Sequence, residues 1–273
     1  MPFGILNNIP ALQAEGALDS TQMSLNTTLQ QLSTGMRINS GADDPAGLAI
    51  ANGLSANIAA LNQSVQNAND GVGNLQVADG ALSQVTSLLN TAVTIATEAS
   101  TGTVSSSQRD SLDAEYQQIL QEINRIGTTT EYNGTSVFSA ATTSIYLTDA
   151  NANSTITSTV GALSDTTLAL NGTSLAGVDG TGAQAALTAI DAAVQTVAND
   201  RGTIGASVNR LQDASAVMTT EVQNLTAAEN NIMAADIPSA ISQLSNLSVL
   251  SQTGMAALAQ ANSQQQSILK LLQ

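Results

Sequence analysis

The sequence predicts a mainly α protein: a long, coiled-coil-like helical hairpin or bundle carrying a small β-rich insert. Two arrays of apolar residues recur every seventh position, one from Leu54 to Ala96 and one from Ile190 to Ile232. Between them the composition turns to β-branched residues with Asn-Gly turns. Aromatics are 2% of the chain, and Cys and Trp are absent, so the core is aliphatic and suits thin helical seams.

The first element is an amphipathic segment carrying Leu18, Leu25, Leu29, Leu32 and Met36, with Gln, Ser, Thr and Asn on its other face. It runs into "LSTGMRINSGADDPAGLAIANGL", Leu32–Leu54, where helix breakers and charges concentrate. Gly35 stands where a left-handed C-cap ends a helix, and Asp44 followed by Pro45 stand as N-cap and first-turn residue of the next. A plain joint leaves Arg37 and Asp43 unexplained. An Arg–carboxylate pair that holds the joint, or binds a neighbouring subunit's joint, is the expectation.

The first long array is Leu54, Leu61, Ala68, Leu75, Leu82, Leu89 and Ala96. Companions four positions later begin Ile58, Val65 and Val72, weaken at Asp79 and Thr86, and recover at Val93. The second is Ile190, Val197, Ile204, Leu211, Met218, Leu225 and Ile232, with companions Val194, Val208 and Val222 interrupted by Arg201, Ser215 and Glu229. A seven-residue apolar repeat keeps one seam facing a partner helix. About 45 residues make a rod of roughly 65–70 Å. A shorter helix, from about 107 to 126, carries Leu112, Tyr116, Ile119, Ile123 and Ile126 on one face.

Residues 128–182 predict hairpins from "TSIYLTD", "STITSTV" and "TTLALNGTSL", with Asn133–Gly134 and Asn171–Gly172 as turns. The last element carries Ile241, Leu244, Leu247, Leu250, Leu258, Ala261, Ile268 and Leu272. Three regions follow: 1–44 with 235–273, 45–127 with 183–234, and the insert 128–182.

Composition narrows the chemistry. A net charge of −15 and pI near 4.1 exclude a nucleic-acid partner. Without His or Cys there is no imidazole or thiolate metal site and no His-based catalysis, so no cofactor and no enzyme is expected. "DANANS" at 149–154 begins like a calcium loop but has Ser154 and Val160 where the loop needs Gly and a bidentate carboxylate. Gly71 and Gly73 lie inside the heptad array with no preceding strand, which argues against a phosphate loop. No apolar run approaches the ~18 residues of a membrane span, and the N-terminal segment makes a poor secretory signal. Charged residues are only 10%, against about 25% in typical domains. A surface of Ser, Thr, Asn and Gln can be buried against copies of itself without desolvating ions.

Three stretches resemble bacterial flagellins. "LQQLSTGMRINSGADDPAGLAIANGLSANIAALNQSVQNANDGVGNLQVADGALSQV" (29–85) is similar to their N-terminal signature. "AAVQTVANDRGTIGASVNRLQ" (192–212) and "AENNIMAADIPSAISQLSN" (228–246), with the ending "QANSQQQSILKLLQ", resemble the C-terminal one. The resemblance covers about 1–135 and 183–273. It implies a self-polymerising subunit of the extracellular flagellar filament, used for swimming motility. Its terminal helices would pair as an inner coiled coil through Leu18, Leu25, Leu32, Ile241, Leu244, Leu258, Ile268 and Leu272. Its rods would pack through Leu54, Leu61, Leu75, Leu82, Ile190, Val197, Ile204, Leu211 and Leu225. Gly35, Arg37, Asp43, Asp44 and Pro45 would form the connector between layers.

The same resemblance implies type III export without a cleaved signal peptide, an export chaperone on the C-terminal segment, and hook-associated and cap proteins as partners. Of three residues through which an innate receptor contacts many flagellins, only Glu115 is matched. Asn90 and Thr94 stand at the other two, so receptor recognition is not carried over. The alternatives are a hook–filament junction protein of the same family and a membrane-inserting type III translocator.

Overall fold

Asn8 accepts a hydrogen bond from the Ala11 amide (3.1 Å) with Pro10 in the first turn, and this starts α1 (Ile9–Thr34) of the computed structural model. Residues 8–140, 142–147 and 155–271 are described, the side chains of 268–271 excepted. Leu272 and the "DANANS" stretch therefore lie outside the described residues, as does the side chain of Ile268. After α1 come α2 (Pro45–Ser100), α3 (Ser106–Thr129), β1 (Glu131–Tyr132), β2 (Thr135–Ser136), β3 (Thr142–Tyr146), β4 (Thr155–Thr159), α4 (Thr181–Met233) and α5 (Ile237–Leu271). A reciprocal Ser105/Gln108 capping box opens α3.

The chain forms two compact units, one drawn from Met1–Ala56 and Asn224–Gln273, the other from Asn57–Gln223. In the first, α1 and α5 run antiparallel: Asn8 Nδ2 donates to the Ala261 carbonyl (3.3 Å) at one end, and Met36 bridges Ala234 at the other. In the second, α2 and α4 are antiparallel as well, with Asp79 paired to Arg201. The insert is no separate body. Val137, Phe138, Ile145, Leu163, Leu170 and Leu175 are buried and complete this unit's core.

The seventh-position series is buried in the second unit, but its companions are not those the sequence suggests. Ser64, Gly71, Ala78, Val85, Ala92 and Ala99, three positions on, lie in the core, while Val65, Val72 and Val93 are only half-buried. Ala186 and Ala193 play the same part in α4, with Val194 half-buried. Small residues on this line let other elements approach α2. A Cβ on Gly71 would lie within 3.4 Å of both Ile145 and Leu211, and one on Gly73 would lie 3.1 Å from the Tyr132 hydroxyl. These glycines are packing positions.

β1 and β2 pair Glu131 with Ser136 and Tyr132 with Thr135. Asn133 (φ 50°) and Gly134 (φ 74°) between them adopt the two left-handed conformations of a primed hairpin turn. β3 and β4 are antiparallel, Ile145 facing Ile156. "TTLALNGTSL" is not a strand. The Ser164 and Asp165 carbonyls accept from the Leu168 and Leu170 amides (3.0 and 2.8 Å), and the chain closes into successive turns. Ser164 and Thr167 cap each other's backbone there, a local competition that β-branched composition does not reveal.

Candidate functional site: connector and helix seams

Gly35 ends α1 at φ 71°, its amide bonded to the Gln31 carbonyl (2.9 Å). The chain then runs beside the α4–α5 junction. Arg37 N–H donates to the Met233 carbonyl (2.6 Å), and Ala235 N–H donates to that of Gly35 (2.9 Å). Two joints far apart in sequence are thus zipped together. Gln31 Nε2 holds the Arg37 carbonyl from the α1 side (3.0 Å), and Ile38 is buried beneath.

Arg37 and Asp43 do not pair. The Arg37 guanidinium donates through Nη2 to the Ile232 carbonyl (2.8 Å), at the end of α4 where unsatisfied carbonyls and the helix dipole favour a cation. Asp43 Oδ2 accepts from the Asn39 amide (3.0 Å), the Ser40 amide (2.8 Å) and the Ser40 hydroxyl (3.1 Å). These donors, the Asn39 amide foremost, hold its carboxyl below the usual carboxylate range. Asp44 Oδ1 caps α2 by accepting from the Ala46 and Gly47 amides (3.1 and 2.9 Å), with Pro45 in the first position. A Cβ on Gly47 would strike Asp44 and the Ile38 side chain, so the corner is closed tightly.

Along the terminal pair, Leu18, Leu25, Leu32, Leu244 and Leu258 are half-buried on facing sides with Thr28 and Ala240. Ile241 does not join them and is 54% exposed. Ala240 and Gly254 set the phase of α5, because Leu18 packs 3.3 Å from where a Gly254 Cβ would sit. One residue on, about 100° round the helix, Ile241 faces away. In the other unit Leu61, Leu75, Leu82, Ile190, Val197, Ile204 and Leu211 are buried; Leu54 and Leu225, in the terminal unit, are half-buried.

Two features escaped sequence reasoning. Asp79 and Arg201, which look like defects in the two heptads, face each other: Arg201 Nε donates to Asp79 Oδ1 at 2.7 Å, which raises the guanidinium's already high pKa. The signal was available, since the defects carry opposite charges. Arg109 is 2% exposed and donates to four main-chain carbonyls, those of Ala99 (2.9 Å), Thr101 (3.1 Å), Gly177 (3.3 Å) and Val178 (3.0 Å). Nothing in its sequence neighbourhood marks this clamp, because its partners are backbone. Among the described residues no cluster of three or more His, Cys, Asp or Glu could hold a metal, and no helix is long and apolar enough to cross a membrane.

Comparison with known proteins adds to this geometry. The model of the bacterial flagellin N-terminal helical region matches residues 5–143, and that of the C-terminal helical region matches 187–272. The chain belongs to the bacterial flagellin family. A flagellin of Halalkalibacterium halodurans is 34% identical over 271 residues, 98% of this chain and 99% of its own. A flagellin of Escherichia coli O127:H6 is 36% identical over 213 residues, 78% of this chain and 38% of its own. The crystal structure of Bacillus cereus flagellin superposes with a TM-score of 0.50 at 30% identity, over 60% of this chain and 94% of that one. As a flagellin, the chain is a structural subunit that self-polymerises into the extracellular flagellar filament; it is not an enzyme. Neither a junction protein nor a translocator is favoured.

Proposed function

We propose that, within the filament, α1 and α5 form the assembly element and residues 35–44 set its junction with the rods. The observation that carries this is the apolar surface the α1–α5 pair leaves uncovered. Leu12 and Met23 are each 72% exposed, and Ile241, Val249, Leu250 and Met255 are more than half exposed. Two helices bury one stripe each, so a second apolar stripe awaits further copies. Polar seam residues such as Thr21, Thr28 and Ser251 weaken the pair in isolation. The terminal helices therefore reach full order only on polymerisation. The same ridge on α5 suits an export chaperone before type III export, and hook-associated and cap proteins at the filament's ends. Arg37 and Asp43 hold the connector by separate means, one on the α4 terminus and one within the loop. Asn90 and Thr94 leave the innate receptor without its Arg and Leu contacts.

The test is truncation after Ala234. The shortened chain is expected to remain helical by circular dichroism and monomeric by sedimentation, and to form no filaments when seeded. Filaments seen by electron microscopy would overturn the assignment of assembly to α5.

A further inference from the structure

The chain has six basic residues against twenty-one acidic ones. Five of the six have described side chains, and four of those are engaged: Arg37 and Arg109 on main-chain carbonyls, Arg125 on Glu122, Arg201 on Asp79. Arg210 on α4 is exposed, with no hydrogen bond or ion pair to any described residue. A polymer of chains each carrying −15 brings like charges together, so a free cation on the rod is conspicuous.

The same helix carries a carboxylate without a partner among the described residues. Asp200 is half-buried in a notch of about 280 Å³ between α4 and the segment 159–168, beside Leu168 and Ile204. Desolvation pushes its carboxyl up, the signature of a charge with nothing opposite it. Four threonines line the notch, and Thr159 shares a hydroxyl–hydroxyl bond with Thr142 (3.2 Å); the other three have spent their protons on carbonyls. Thr196 donates to Ala192 (3.0 Å), Thr203 to the Asp200 carbonyl (2.8 Å) and Thr167 to Ser164 (2.9 Å). These three oxygens and the Asp200 carboxylate are acceptors, and such a set favours a group that only donates. Gly161 lines the notch, and a Cβ there would be in ordinary contact with Asp200 Oδ2, 3.9 Å away.

Asp200 and Arg210 lie roughly 15 Å apart along α4, less than a quarter-turn round it, beyond reach of each other within one chain. We infer that the notch at Asp200 receives the Arg210 guanidinium of a second copy, an ion pair between neighbouring rods. The inference rests on the chain being a filament subunit. It extends that reading by placing a charge-selective contact on the rods, away from the terminal helices. The planar guanidinium can meet the carboxylate and still reach the threonine oxygens, which a Lys ammonium does less well.

The experiment is a charge swap in the full chain, read by seeded growth and by filament dissociation on heating. Asp200→Arg and Arg210→Asp are each expected to raise the critical concentration about tenfold or more, and Asp200→Arg/Arg210→Asp together to restore most of it. Gly161→Leu, which fills the notch without changing charge, is expected to act like either single reversal. Circular dichroism of each monomer checks folding, and Asp200→Asn with Arg210→Gln replaces any reversal that does not fold. Single variants that polymerise like the unsubstituted chain, or a double no better than the singles, would overturn the pair. Failure of the unsubstituted chain to form filaments would instead sink the assembly reading.

Discussion

The α1–α5 pair and the α2–α4 pair follow the same seven-residue repeat and run antiparallel, yet they bury very different amounts of it. In the second, Leu61, Leu82, Ile190 and Leu211 are at most 2% exposed, because α3 and the folded-back insert cover what two helices alone leave open. In the first, the equivalent leucines stay half-buried, and Leu12 and Met23 point outward. Apolar periodicity supplies a stripe; only further layers make the stripe a core. One unit completes its own burial; in the assembly we propose, the other leaves that to neighbouring subunits.

The contrast is broken most directly by truncating one side chain in each unit. Leu211→Ala should destabilise the monomer by about 2–5 kcal/mol, the cost of a core cavity. Met23→Ala should leave monomer unfolding within about 0.5 kcal/mol of the unsubstituted chain but lower the filament's dissociation temperature. Paired thermal scans of monomer and filament measure both. Equal monomer effects would erase the distinction.

A smaller effect is expected at the connector. Arg37→Ala removes the guanidinium bond to the Ile232 carbonyl but keeps the main-chain zipper, so about 1 kcal/mol should be lost locally. Faster hydrogen exchange at the Arg37 and Ala235 amides, several-fold and confined to the joint, would report it. The smallest effect concerns acid. Asp43's carboxyl is held down in the folded loop, so its contribution is complete above the ordinary carboxylate range and fades as pH falls through the lowered folded value. The Ser40 and Asn39 amide resonances should therefore titrate below that range, and Asp43→Asn should abolish the titration. A titration at the ordinary carboxylate value would mean the loop does not grip Asp43.

Much of this was legible in the residues. Gly35, Asp44 and Pro45 act through their own backbone neighbours, and local rules found them. The Asn133–Gly134 hairpin was legible for the same reason. The companion line was misjudged because β-branched valines outweigh Gly71, Ala78 and Ala92 in any count of apolar residues, although small residues are what permit close approach. Arg37 and Asp43 were expected to hold the joint as a pair or to bind a neighbouring subunit's joint. Within the chain they bond main-chain groups instead; opposite charges attract attention, and backbone carbonyls and amides do not.

By itself the sequence determined the helices, their sevenfold seams, the caps at the joint and the flagellin family. These depend on local geometry and on patterns repeated along the chain. The tertiary structure alone decided which flank of each seam is the core, that Arg109 clamps four carbonyls, that Asp79 meets Arg201, and that Asp200 has no partner among the described residues. Such contacts join residues from eight to more than a hundred positions apart, mostly through main-chain atoms and small side chains that every sequence possesses and none advertises.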